Sequence, residues 1–167
     1  TMATYGAQNV GASRYDRLNK GIYSASLMGF GYSLLAFGVA WFFGRSLTGL
    51  FVSGGNSAQL VELAQTYMIT NVLAYPLLTL VNVVRFMIQG MGFSMFAILA
   101  GVMEMAARSL AGMFLVPALG YFGAALGSPL AWVAADLFLV PAYFRCRRVL
   151  MSQSHHLHVM GERAELN

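Results

Sequence analysis

Charge is scarce in this chain. Of its 167 residues only 10% are Asp, Glu, Lys or Arg, where soluble domains carry about 25%. A soluble surface so poor in charge would expose apolar patches that aggregate. The composition therefore places most of the surface against lipid. Cysteine is nearly absent too: the single Cys146 excludes an intrachain disulfide and implies no oxidising compartment. Strict apolar/polar alternation is missing, which excludes transmembrane strands. So are GxGxxG, the P-loop, GxSxG and any metal-spaced cysteine set, which leaves no soluble-enzyme chemistry and no cofactor to place. The three histidines, His155, His156 and His158, fall in a polar tail and read as solvated, since metal sites want ligands on a rigid frame.

Long uncharged runs are abundant. About 20 apolar residues cross a bilayer as a helix, and four runs qualify: Ile22–Phe43, Leu63–Gln89, Phe93–Leu119 and Tyr121–Phe144. The first is too long for a secretory signal and lacks a cleavage pattern. The second and third runs meet around Gly90-Met-Gly92, the third and fourth around Ala118-Leu-Gly120. Turns this tight force antiparallel neighbours. Only Gly44–Glu62 is longer, and its Ser53-Gly-Gly-Asn-Ser57 centre reads as a flexible turn. The fold class expected is all-α and polytopic, with a tail at 149–167.

The ten cations are not spread evenly. Arg14, Arg17 and Lys20 form a collar before the first run, and Arg145, Arg147 and Arg148 follow the fourth. Four crossings put both flanks on one side, and the positive-inside rule makes that side cytoplasmic. The clusters read as juxtamembrane anchors, so no nucleic-acid partner is expected. The expected location is the cytoplasmic membrane.

Small residues recur every fourth position at Gly21, Ala25, Gly29, Ser33 and at Gly123, Gly127, Ala131, Ala135. In lipid such stripes let helix backbones touch. Pro76 and Pro129 fall inside runs, Pro117 and Pro141 near run ends. A proline inside a helix removes a backbone bond and kinks it.

A charge at the bilayer centre costs about 3 kcal/mol, so each one needs a reason. Asn71, Tyr75, Asn82, Arg85 and Gln89 fall on one helical face, interrupted only by Leu78. Such a stripe lines a substrate or ion path, or it is interhelical hydrogen-bonding glue. Arg85 can also snorkel toward the headgroups. Glu104 and Arg108 stand at i and i+4 in the order that favours a helical ion pair, on a face with Ala97, Gly101 and Gly112. The pair reads equally as a structural lock and as a gate or proton relay. Asp136 has no partner on its own helix and shares a face with Pro129 and Trp132. A lone carboxylate at depth invites a proton or a partner from another helix.

Three segments together resemble a known family. AQNVGASRYDRLNKG resembles the end of the second helix in each six-helix repeat of the multidrug and toxic compound extrusion (MATE) family. NVVRFMIQGMGFSMFAILAGVMEMAARSLAG resembles that family's tenth and eleventh helices, and GSPLAWVAADLFLVPAYF its twelfth. The resemblance covers the chain to about Arg148. It implies that residues 1–148 are part of the C-terminal lobe of a twelve-helix transporter, from the end of helix eight through helix twelve. On that reading Thr1 is a cut edge, and the N-terminal lobe is a missing partner. The implied activity is export of small amphipathic cations by alternating access, driven by H+ or Na+. In the sodium-coupled branch an acid sits midway along the tenth helix. Here Leu78 stands near that place, so that cation site looks absent. A lipid-linked saccharide flippase of related architecture and a four-helix membrane scaffold subunit are the alternatives.

Overall fold

The computed structural model describes residues 1–51 and 57–165, and side chains up to Gln153 except that of residue 57. The described residues are helical throughout, with no strand among them: α1 Met2–Gly11, α2 Asp16–Gly49, α3 Ser57–Leu73, α4 Tyr75–Gly90, α5 Ser94–Leu119 and α6 Tyr121–Glu165. Three of these, α2, α5 and α6, are each long and apolar enough to cross a membrane, and α3 with α4 reaches that length and hydropathy only as a bent pair, which makes three crossings, or four where the pair is one broken span. The chain is a polytopic helical membrane protein.

The α3–α4 pair corrects the expected unbroken helix over Leu63–Gln89. It breaks at Ala74, and its halves bend by 47°. Pro76 is the cause. It has no N–H for the carbonyl of Val72, and its ring disfavours helical backbone at the residue before it. The chain answers with a tight turn, Ala74 N–H donating to Asn71 O at 3.0 Å, and α4 restarts with the proline in its first turn. The polar stripe is therefore split. Asn71 belongs to α3, while Tyr75, Asn82, Arg85 and Gln89 belong to α4.

Both expected tight turns form, and glycine makes them possible. Gly92 has φ +93° and Gly120 φ +58°, backbone that an L side chain resists. The flexible-turn reading of Ser53–Ser57 lies outside the described residues apart from the backbone of Ser57, where α3 begins. The α6 backbone continues as helix to Glu165. The side chains of His155, His156 and His158 lie outside the described residues.

Helix α4 is central, packed against each of the other five helices. Its Val81, Val84, Met87 and Ile88 form the core with Leu18 of α2 and Ala135, Leu139 and Cys146 of α6. The small-residue stripes act as close-approach points. A Cβ on Gly21 would strike Tyr5 of α1, one on Gly29 would strike Thr79 of α4, and one on Gly123 would strike the α5 backbone at Leu115. Ala131 and Ala135 are fully buried. Hydroxyls in the apolar zone bond back to their own helices, as Ser33 to Gly29 O and Thr70 to Thr66 O, each at 2.8 Å; this satisfies them without water.

On α5 the buried face differs from the one expected. Ala100 and Ala111 are buried, with Glu104 partly covered between them, whereas Gly101 and Gly112 have open space where a side chain would stand. A line of residues four apart drifts around a 3.6-residue helix, so Ala97, Gly101, Arg108 and Gly112 do not share one edge for long.

Candidate functional site

Three of the four intramembrane charges meet where α4, α5 and α6 pack together. Arg85 of α4 donates from its terminal guanidinium nitrogen to Glu104 Oε1 of α5 at 2.5 Å. This corrects the expected pair within α5: Glu104 reaches across to the neighbouring helix instead of along its own to Arg108. The drift of the α5 face is the reason. Glu104 points inward with Ala100 and Ala111, and Arg108, one turn on, is exposed. Arg85 is partly covered in this pair, its side chain 22% exposed.

Asp136 of α6 completes the group. It is only 8% exposed, and both carboxylate oxygens are buried without a hydrogen-bond partner among the described residues. The charges of Glu104 and Arg85 are the ones that act on it. Arg85 Nε is buried and unpartnered as well. The junction thus holds two carboxylates, one guanidinium, and unused hydrogen-bonding capacity on both the acid and the base. Buried polar groups are rarely left unpaired without a reason.

Asp136 is presented on the α6 face that carries Trp132 one turn earlier and Leu139 one turn later, both buried. Trp132 packs edge-on against Tyr75 of α4, ring centroids 6.3 Å apart. The remaining stripe residues do other work. Asn71 is buried and donates to Tyr67 O of its own helix at 2.9 Å and to Ala125 O of α6 at 3.5 Å, stitching α3 to α6. Asn82 donates to Leu78 O within α4 at 2.9 Å, and Gln89 is exposed.

Of the eight site residues expected from sequence, Arg85, Glu104 and Asp136 come together. Tyr75 packs on Trp132, one turn of α6 before Asp136, and Arg108 lies on the open side of α5 in a shallow cleft with Gly101, Glu104, Met105 and Ser109. Trp132 was recognisable only as a neighbour of Asp136 in sequence. Its partner Tyr75 lies on a helix whose direction changes at Ala74, which no spacing rule reveals.

Fully ionised, the Arg85, Glu104 and Asp136 group carries one net negative charge. Burying an unpaired charge costs several kcal/mol even after relaxation, so the arrangement has capacity for one cation or one proton. A family model, MatE, matches residues 1–116 of the chain. No curated protein and no solved structure matches it.

Proposed function

The chain belongs to the MatE family of transporters, and from that premise we propose that it forms part of the C-terminal lobe of a cation-coupled efflux antiporter for small amphipathic cations. Its two ends face the cytoplasm, and the protein resides in the cytoplasmic membrane. The observation that carries the mechanism is Asp136, buried and without a partner beside the Arg85–Glu104 pair. A proton on Asp136 leaves the group neutral, with one guanidinium for one carboxylate. Loss of that proton leaves a buried charge that Arg85 must share between two acids. The two states favour different placements of α5 and α6 against α4, which is how a bound ion biases alternating access.

The flippase reading is weaker on the same geometry. A pyrophosphate group needs free cavity cations, and Arg85 is already neutralised by Glu104.

The test is transport by the intact protein in a drug-sensitive bacterium, scored by tolerance and accumulation over a panel of cationic dyes. Asp136→Asn mimics the protonated acid and is expected to abolish the pH dependence of efflux at unchanged membrane expression. Unchanged accumulation with the parent protein would sink the efflux reading. A normal pH profile in Asp136→Asn would reduce the acid to a structural residue.

A further inference from the structure

At the collar end of the bundle a second feature is left without a role. Helices α2, α4 and α6 leave between them a cleft of about 310 Å³. Its walls are mostly hydrocarbon, with Ile22, Phe30, Leu80, Val84 and Val140 among them, and its rim carries Asn19 and Tyr143. The polar groups are graded along it. Tyr143 donates its hydroxyl to Asn19 Oδ1 at 2.7 Å, which leaves the Asn19 amide N–H groups free to donate. Deeper in the wall, Ser26 is buried and its hydroxyl has no partner. Beyond the rim, Arg147 follows Tyr143 by one turn of α6 and its charge acts on the Tyr143 hydroxyl. Arg147 Nε is buried without a partner among the described residues. Lys20 stands next to Asn19 and is exposed.

An apolar slot with Arg147 one turn past Tyr143, Lys20 next to Asn19 and donors spaced down one wall matches one chemistry. We propose that this cleft is a binding site for an anionic phospholipid: the phosphate sits at Arg147 and Lys20, ester carbonyls meet the Asn19 amide and the Ser26 hydroxyl, and an acyl chain fills the slot. Basic pockets between transmembrane helices at the level of the headgroups bind acidic lipids in this way. The cleft is distinct from the Arg85, Glu104 and Asp136 group, and the assignment does not depend on the transport reading.

The intact protein, purified in detergent and stripped of lipid, is titrated separately with dioleoyl phosphatidylglycerol, dioleoyl phosphatidylcholine and glycerol 3-phosphate while its thermal unfolding midpoint is followed. Phosphatidylglycerol is expected to raise the midpoint at lower concentration than phosphatidylcholine, and glycerol 3-phosphate to leave it unchanged. Arg147→Gln should weaken the phosphatidylglycerol response about fivefold, the worth of one headgroup cation, and leave the phosphatidylcholine response alone. Lys20→Gln, at an exposed position that folding does not need, should act in the same direction. Ser26→Leu fills the slot and should weaken both lipids. Equal responses to the two lipids, or parent-like responses in both cation variants, would overturn the assignment. So would an equal response to glycerol 3-phosphate, which would make this a site for soluble phosphate.

Discussion

The partner of Glu104 can be decided by two double-mutant cycles in the intact protein. One cycle combines Arg85→Gln with Glu104→Gln, the other Arg108→Gln with Glu104→Gln. Two unit charges about 4 Å apart at an effective dielectric of about 20 attract by roughly 4 kcal/mol. Desolvation takes back a large part of this, and the Arg85 and Glu104 side chains keep 22% and 19% of their surface exposed, which screens the pair further. A coupling of about 1–3 kcal/mol remains for Arg85 with Glu104. Arg108 is exposed, and a helical i, i+4 pair is worth about 0.3–0.5 kcal/mol. Reversible unfolding in mixed micelles, followed by far-UV circular dichroism, gives both numbers. A coupling under about 0.5 kcal/mol for the first cycle, with a larger one for the second, would refute the cross-helix assignment and return Glu104 to its own helix.

Other expectations concern the places where backbone meets backbone. Gly90→Ala would drive a Cβ into the main chain of Ala3; the α1–α4 contact must open, at a cost of about 1–3 kcal/mol, seen as a lowered unfolding midpoint. Gly101→Ala, with open space at its Cβ position, should be stable as the parent or better, since alanine favours helix by about 1 kcal/mol. Gly92→Ala must hold φ +93° and should cost about 1–2 kcal/mol, read in the same assay. A lowered midpoint in Gly101→Ala matching that of Gly90→Ala would show that the two glycines differ in nothing that packing explains.

The three long apolar helices and the two tight turns were legible in the sequence because length, hydropathy and glycine placement are local properties. The bend was half legible. Pro76 marked a kink, but that it would split α3 from α4 by 47° depends on the packing of both halves. The site was legible as a set of residues and not as a set of pairs. Glu104 has two cations within reach of its sequence pattern, Arg108 one turn along and Arg85 on another helix. Choosing between them needs the rotation of α5 about its own axis. That rotation is set by which small residues seat against the neighbouring helices: the sequence pointed to Ala97, Gly101 and Gly112, and the structure buries Ala100 and Ala111. Asp136 was found because a lone carboxylate in an apolar run stands out against its neighbours, whereas the identity of its facing charges is a tertiary fact.

On the proposed antiporter reading, the composition of the cluster also bears on which ion it would carry. A sodium ion needs a shell of several oxygens, as hard cations do. Glu104 has one oxygen committed to Arg85, and the neighbours of Asp136 along its face, Trp132, Ala135 and Leu139, are buried hydrocarbon or aromatic that adds none. A proton needs one lone pair and no shell. The donor set therefore favours H+, and the expected outcome is efflux driven by a pH gradient in sodium-free vesicles containing the intact protein. An inward sodium gradient at equal pH should drive nothing. Asp136→Glu keeps an acid at the site and should retain part of the pH-driven efflux, which Asp136→Asn loses. Transport driven by sodium alone and insensitive to pH would place the coupling ion elsewhere in the protein.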